Sequence, residues 1–155
     1  MAKPYFKPVP GAPAPLRITV QRTVRFEEVD PLGVAWHGRY ASYLEDARVA
    51  LGDTYGFGYL DLRDNGIITP IKQLHIDYLK PLRYAEPFTI EALLHWTEAA
   101  RINIEYILRN QRAEVTTTAY SVQMLVDTEG ELIIVQPEFC RGFFTRWKEG
   151  KLDNA

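Results

Sequence analysis

One carboxylate, Asp30, stands directly before a proline where an extended pattern gives way to a helical one, in the stretch EEVDPLGVAWHGRYASYLEDARVALG. The residues PLGVAW form a small apolar corner, and a helix is expected to follow. The first turn of a helix leaves backbone N–H groups unpaired and carries partial positive charge. A carboxylate beside such donors can perform acyl transfer, because the N–H stabilises an oxyanion while the carboxylate attacks the carbonyl carbon or activates water.

Asp30 also has a simpler explanation. An aspartate before a helix most often caps that helix, and Asp-Pro commonly begins a turn. From the chemistry of this residue alone, capping is therefore favoured over catalysis.

Several other catalytic and metal-binding patterns are absent from the sequence. There is no G-x-S-x-G elbow, no H-E-x-x-H pair among His37, His75 and His95, and no Gly-rich phosphate loop after a strand. No cluster of Cys and His predicts a metal site. Cys140 lies in an apolar tail without a nearby His and is interpreted as a small buried hydrophobe. We expect no metal and no cofactor.

Composition limits the partners and the compartment. The 155 residues carry a formal net charge of −2 and a pI of about 5.9, which disfavours nucleic acid as a partner. One cysteine cannot form an internal disulfide, and no apolar stretch is long enough to span a membrane. The simplest location is the cytoplasm, with no membrane association.

The chain divides into three predicted parts: residues 1–16, 17–136 and 137–155. The first holds five of the ten prolines and is expected to be an extended arm, unstructured or, less favoured, draped over a neighbouring subunit. The last part has aromatic residues at near-helical spacing, which predicts a short helix that packs on the sheet or on a partner.

Alternating apolar and polar residues predict five strands, each with one buried face. The short polar links TEAA, NQRAE and DTEGE indicate antiparallel neighbours, and residues 132–135 are expected to close the sheet. Arg22 interrupts the first apolar face, so we expect it near an opening or an interface. The apolar sets are Ile18, Val20, Val24 and Phe26; Leu74, Ile76 and Tyr78; Phe88, Ile90, Ala92, Leu94 and Trp96; Ile102, Ile104, Tyr106 and Leu108; and Tyr120, Val122, Met124 and Val126.

Apolar residues after His37 recur at spacings of three and four, which predicts one long helix ending at Gly52. Glycines 56, 58 and 66 then mark a loose connection. A curved antiparallel sheet wrapped around the helix is the economical packing, so the fold class is α+β. The predicted helix face carries Tyr40, Tyr43, Leu44, Ala47, Ala50 and Leu51.

The run D-P-L-G-V-A-W-H-G-R-Y-A-S-Y-L-E-D-A-R resembles the hot-dog-fold acyl-CoA thioesterases of the 4-hydroxybenzoyl-CoA thioesterase type. The segments VRFEEV and HIDYLKPLRYAEPFTIEALL are also similar to that family, and the resemblance spans roughly residues 20–135. Its most specific part is D-x-x-G-x-x-x-H-x-x-Y, at Asp30, Gly33, His37 and Tyr40. The resemblance implies a hot-dog fold and an enzyme that hydrolyses an acyl-CoA thioester to a carboxylic acid and coenzyme A.

The resemblance also implies roles for single residues. Asp30 would be the nucleophile or general base, and the backbone N–H of His37 would polarise the thioester carbonyl. The His37 side chain either positions water or the acyl group, or makes a structural hydrogen bond. Gly33 would permit the tight corner beside the substrate, and Tyr40 would belong to the core with one edge lining the pocket.

The resemblance further implies a homodimer or homotetramer with sites between subunits. Coenzyme A or an acyl carrier protein would carry the acyl group. Arg101, Arg109 and Arg112 are candidate phosphate ligands, although each of them individually is better explained as solvated surface charge. Two alternatives stay open: a non-catalytic acyl-CoA sensor and a hot-dog-fold dehydratase. The acyl group itself, aromatic or aliphatic, cannot be read from the sequence.

Overall fold

The computed structural model of the chain describes residues 3–152. The helices are α1 (Tyr40–Tyr55), α2 (Tyr59–Asp64) and α3 (Glu138–Lys148), with single 3-10 turns at Phe26–Glu28 and His37–Arg39. The strands are β1 (Leu16–Thr23), β2 (Ile71–Tyr78), β3 (Pro87–His95), β4 (Arg101–Asn110) and β5 (Val115–Met124).

The five strands form one curved antiparallel sheet in the order β1-β3-β4-β5-β2. The long helix α1 packs mainly against β1 and β3, and the core lies between α1 and the sheet. The fold is therefore α+β, with a curved antiparallel sheet around one long helix, which confirms the prediction of a hot-dog fold.

Helix α1 buries five of the six residues predicted for its apolar face, and the sixth, Ala50, is partly buried. The predicted end at Gly52 is wrong, because the helix continues to Tyr55 and ends at Gly56. Gly56 takes the left-handed conformation, with φ +69°, and its N–H donates to the Gly52 carbonyl. Gly52 instead permits close packing, since a Cβ there would lie 2.5 Å from the Cα of Gly58.

The face predicted to be the buried side of β5 points away from α1. Tyr106 and Ile104 of β4 face the core, and they pair with Ala119 and Ser121 of β5. Ala119, Ser121 and the residues that alternate with them therefore form the helix side of β5. The polar residues on that side are tolerated because they are hydrogen-bonded: Tyr106 Oη lies 3.1 Å from Ser121 Oγ, and Gln123 Nε2 donates to the Thr69 carbonyl at 2.9 Å.

Three further local predictions are wrong. Strand β1 ends at Thr23, and Phe26, predicted to be buried, is 79% exposed. Residues 132–135 form no strand: Leu132 makes one isolated bridge to Val126, and Ile134 is 81% exposed. The predicted loose connection contains α2. The short apolar run at 132–135 had no alternation to fix it in a sheet.

Residues 3–15 of the proline-rich segment form neither a helix nor a strand, and they lie across the chain's own sheet rather than being unstructured. Tyr5 Oη donates to Asp77 Oδ2 on β2 at 2.6 Å. The predicted C-terminal helix is present as α3, where Phe143 stacks on Phe57 with 4.2 Å between ring centroids. The division of the chain at residues 16 and 136 stays a prediction.

Candidate active site

Asp30 begins a tight turn of four residues. Its carbonyl accepts the Gly33 N–H at 3.0 Å, and its Oδ1 accepts the Leu32 N–H at 2.9 Å. Pro31 supplies the fixed φ that the second turn position favours, and Gly33 adopts φ +76°. The turn is partly buried at Asp30, and the second carboxylate oxygen is not used by the turn.

The chain then re-enters the fold through backbone bonds on both sides. The Asp30 N–H donates to the Val34 carbonyl at 2.9 Å, and the Ala35 N–H donates to the Leu82 carbonyl at 2.7 Å. The Trp36 N–H donates to the Glu28 carbonyl at 2.8 Å. These bonds hold the Asp30 turn against the start of the helical segment.

The helical segment begins as a 3-10 turn at His37, which α1 continues from Tyr40. The preceding Trp36 is extended, with φ −65° and ψ 135°. Within residues 3–152, neither a carbonyl nor a side chain accepts the His37 N–H, as expected for the first residue of a helical turn. The His37 carbonyl accepts a hydrogen bond from Tyr78 Oη at 3.0 Å.

A cavity of about 280 Å³ opens between the Asp30 turn, the start of the helix and the end of β2. Tyr40 is 3% exposed and meets Tyr78 edge to face, with 4.8 Å between ring centroids. Burial raises the pKa of both tyrosines, so both phenols keep their protons at neutral pH. Among the residues that line the cavity are Asp30, His37, Tyr40, Tyr78, Lys80 and Pro81.

A partly buried ion pair supports the segment before Asp30. Glu28 is 4% exposed, accepts Arg22 Nη2 at 2.9 Å and also accepts the Arg25 N–H at 2.8 Å. Arg22 also bonds Asp46 of α1, and its guanidinium lies 4.9 Å from the centroid of the Tyr43 ring. The interruption of the apolar face by Arg22 thus serves a network that links β1 to α1.

The structure brings together three of the four residues predicted for the site: Asp30, His37 and Tyr40. The fourth, Gly33, forms the turn and does not line the cavity. Tyr78 and Lys80 were missed as site residues, because their segment, HIDYLKPLRY, was interpreted as a strand and as part of the family resemblance, and the resemblance assigned no role to either residue. They meet the Asp30 turn through the pairing of Val34 with Arg83, which a single sequence does not show.

The remaining predicted residues lie elsewhere. Arg109 pairs with Glu91 and Arg112 pairs with Glu114, each at 3.3 Å. Cys140 is buried, and burial raises the pKa of its thiol to about 12, in keeping with its interpretation as a buried hydrophobe. In the part of the chain that the structure describes, no group of three or more His, Cys, Asp or Glu residues could hold a metal ion.

A second cavity of about 280 Å³ lies at the other end of α1, beside α2. Apolar residues of the helix and of the sheet line it, including Leu51, Phe57, Leu94 and Ile104. None of the predicted site residues reaches it. Asp30 and His37 line the cavity beside the Asp30 turn, and neither lines this second cavity.

Chemically, the site combines a carboxylate with an unpaired backbone donor at the start of a helical segment. Such donors stabilise negative charge that develops on a carbonyl oxygen, and a carboxylate can attack the carbonyl carbon or activate water. The architecture is that of a hot-dog protein, and the groups that line the cavity are of the kinds that acyl transfer uses.

The chain belongs to the Thioesterase-like superfamily, whose family model matches residues 24–144. It is 30% identical over 106 residues to Bacillus subtilis (strain 168) YneP, whose name provisionally assigns acyl-CoA thioesterase activity; the match covers 68% of this chain and 77% of YneP. It is 29% identical over 116 residues to the 1,4-dihydroxy-2-naphthoyl-CoA hydrolase of Thermosynechococcus vestitus (strain NIES-2133 / IAM M-273 / BP-1), covering 72% and 77% of the two chains.

The crystal structure of the DHNA-CoA thioesterase from Staphylococcus aureus superimposes with a TM-score of 0.72 at 26% identity. The superposition covers 86% of this chain and 87% of that chain. Within residues 3–152, no helix combines the length and apolar character needed to cross a bilayer.

Proposed function

We propose that this protein is an acyl-CoA thioesterase that hydrolyses its substrate to a carboxylic acid and free coenzyme A. The observation that carries the proposal is the Asp30 carboxylate beside the same cavity as the unaccepted N–H of His37. Membership of the Thioesterase-like superfamily and similarity to acyl-CoA hydrolases support it.

In the proposed reaction, the thioester carbonyl oxygen accepts the His37 N–H. Asp30 either removes a proton from water as the water oxygen attacks the carbonyl carbon, or attacks that carbon itself to give an anhydride that water then opens. In both routes the tetrahedral intermediate collapses, the C–S bond breaks and coenzyme A leaves as a thiol after it takes a proton. The N–H acts on charge that develops only during the reaction, so it lowers the barrier.

Two tyrosines would position the reacting groups. Tyr78 donates to the His37 carbonyl and so holds the peptide beside the donor. Tyr40 closes the cavity with one ring edge and is otherwise part of the core. The His37 imidazole is exposed and, in this proposal, places water or the acyl group without carrying the proton transfer.

The test compares Asp30→Asn with a matched control at Asp127. Asp127 forms the same turn: its carbonyl accepts the Gly130 N–H at 3.0 Å, its Oδ1 accepts the Glu129 N–H at 2.9 Å, and Gly130 has φ +84°. Asp127→Asn therefore has the same effect on a turn of this kind, the replacement of a carboxylate by an amide, at a position outside the cavity beside Asp30. We expect Asp30→Asn to reduce kcat about a hundredfold or more, and Asp127→Asn to leave it unchanged.

The assay measures thiol release from a panel of aromatic and aliphatic acyl-CoAs. The buried thiol of Cys140 contributes little to the signal while the protein is folded. Thermal melting checks that both variants fold. A folded Asp30→Asn variant with near-normal turnover would refute the role of Asp30, and binding of acyl-CoA without any thiol release would favour a non-catalytic sensor or a dehydratase.

The panel also decides the acyl group and the carrier. The resemblance to the 4-hydroxybenzoyl-CoA type and the similarity to DHNA-CoA enzymes make an aromatic acyl-CoA the first substrate to try. Acyl carrier protein thioesters form the second arm, since both carriers present the same pantetheine thiol. A cytoplasmic location stays a prediction.

We further propose that the protein assembles as a homodimer through β2. This strand is a sheet edge, and Leu74 and Tyr78 on its helix side are 45% and 49% exposed, because α1 covers mainly β1 and β3. Light scattering at micromolar concentration should show a dimer or a larger assembly. Leu74→Asp should shift it towards monomer, whereas Leu132→Asp, at an exposed site away from β2, should not. An active monomer would contradict a site shared between subunits.

A further inference from the structure

The N-terminal segment forms a strap over the face of the sheet that points away from α1. Tyr5 Oη anchors one end through Asp77 Oδ2 and Thr118 Oγ1, each at 2.6 Å. Trp147 Nε1 of α3 anchors the other end by donating to the Ala14 carbonyl at 3.2 Å. Between these anchors the chain reverses at Gly11, where the Ala12 N–H donates to the Val9 carbonyl.

The strap encloses a cavity of about 640 Å³ against β3 and β4. This volume lies within the usual range of small-molecule sites. The strap contributes Phe6, Lys7 and several prolines, while the sheet contributes His95, Arg101 and Asn103. The sheet separates this cavity from α1 and the Asp30 site. The residues that alternate with the cavity-lining ones along β3 and β4, such as Leu94 and Ile104, point to the opposite face and belong to the core.

Asn103 supplies the observation that points to a ligand. The residue is 6% exposed, lines the cavity, and its Oδ1 has no hydrogen-bond partner within residues 3–152. A buried acceptor without a donor is unfavourable, so such groups are normally paired. The neighbouring polar group does not serve it, because His95 Nε2 is hydrogen-bonded to Glu105 Oε1 at 2.9 Å.

The other groups that line the cavity restrict which ligand could supply a hydrogen-bond donor to Asn103 Oδ1. Phe6 presents an aromatic ring next to His95, with 5.1 Å between centroids, and the prolines add flat apolar surface. Lys7 is exposed at the cavity, as is Arg101, and neither makes an ion pair within the described residues 3–152. A flat ring with an amino N–H at one end and a phosphate at the other matches all three features.

We propose that the strap cavity binds an adenosine phosphate. Asn103 Oδ1 accepts the exocyclic amine of adenine, an established pairing of the asparagine amide with this base. Phe6 and the prolines contact the faces of the base, and Arg101 and Lys7 bind the phosphate. The inference is independent of the thioesterase proposal, because binding here needs neither turnover nor Asp30.

The test is calorimetric titration of the full chain with AMP, inosine monophosphate and adenosine. AMP should bind at least tenfold more tightly than either of the others, since inosine monophosphate lacks the amine and adenosine lacks the phosphate. Asn103→Leu, of similar volume, should lose at least tenfold in AMP affinity. Asn65→Leu removes an exposed amide that donates to the Asp61 carbonyl at the end of α2, away from the cavity, and should leave AMP binding unchanged.

Thermal melting supplies a second readout. Asn103→Leu without ligand should melt no lower than the unmodified protein, because it removes an unpaired buried acceptor. The proposal fails if AMP does not bind at millimolar concentration, if inosine monophosphate binds equally well, or if Asn103→Leu melts lower and binds AMP as before. That last result would mean that Asn103 serves the fold alone.

Free nucleotides and coenzyme A both carry an adenosine phosphate, so titration with coenzyme A distinguishes the two sources. If Asn103→Leu binds one coenzyme A molecule fewer per chain than the unmodified protein, the cavity receives the adenosine of coenzyme A. If the coenzyme A stoichiometry is unchanged while AMP binding is lost, the ligand is a free nucleotide. Either result supports an adenosine phosphate site in the strap cavity.

Discussion

Replacing His37 with proline isolates the backbone donor in the proposed mechanism. Proline removes the N–H, and this N–H has no acceptor within residues 3–152, so no internal hydrogen bond is lost. Proline also restricts the residue before it to extended conformations, and Trp36 already has φ −65° and ψ 135°. The first position of a helical turn is where proline is best tolerated. We therefore expect His37→Pro to fold with little loss of stability.

The kinetic effect should nevertheless be large. Loss of one oxyanion-hole donor costs about 2.7–4 kcal/mol of transition-state stabilisation, which corresponds to a decrease in kcat of about 100- to 1000-fold. His37→Ala keeps the N–H and loses only the imidazole, so its kcat should fall by less than about tenfold. The Tyr78 hydrogen bond to the carbonyl of residue 37 remains available in both variants.

The measurement is kcat for thiol release with saturating substrate, after melting and light scattering show that both variants fold and assemble. Because the two variants share the loss of the imidazole, the ratio of their kcat values reports the N–H alone. Equal losses in His37→Ala and His37→Pro would show that the imidazole carries the chemistry. No loss in either variant would mean that another donor polarises the carbonyl.

Two further predictions concern stability. Burial raises the pKa of Tyr106 from 10.0 to about 12, so the folded state keeps a proton that the unfolded state releases above pH 10. The free energy of unfolding is therefore unaffected by Tyr106 ionisation below pH 10 and falls by up to about 2.7 kcal/mol as pH rises to 12. Tyr106→Phe should lack this decrease. Parallel pH dependence of the free energies of unfolding of the two proteins would contradict the prediction. Gly33 has φ +76° and Gly130 has φ +84°, so alanine at either position should reduce the free energy of unfolding by about 1–2 kcal/mol. Only Gly33→Ala should also alter kcat. Denaturant titration measures the first effect and enzyme kinetics the second.

The sequence by itself determined the α+β class and most of the sheet. Alternation in β3 and β4 identified their core-facing sides because every residue on those sides is apolar and buried, although Leu93 and Asn103 on the opposite side are buried too. Periodicity located α1 for the same reason, since one of its faces is buried against β1 and β3. Local pattern is sufficient where the core-facing side of an element is apolar throughout.

The pattern was misleading in β5, where polar residues occupy the side of the strand that faces the core. Strand β5 buries residues on both sides, since the strap and its neighbours cover the face that carries Tyr120 and Val122. Thr117 and Ser121 occupy the helix side at 0% and 1% exposure. Their hydroxyls can be buried because tertiary contacts supply hydrogen bonds, which hydropathy along the chain does not record.

The candidate site shows the same division. The sequence identified the Asp30 turn, but its local geometry recurs almost unchanged at Asp127, so turn chemistry alone cannot indicate catalysis. Only the tertiary structure places Asp30 beside an unpaired N–H at a helix start and adds Tyr78 from a strand more than forty residues away. Short-range steric and hydrogen-bonding preferences fix the turn, whereas the surrounding cavity depends on the pairing of segments distant in sequence, and so only the folded chain decides which aspartate can meet a substrate.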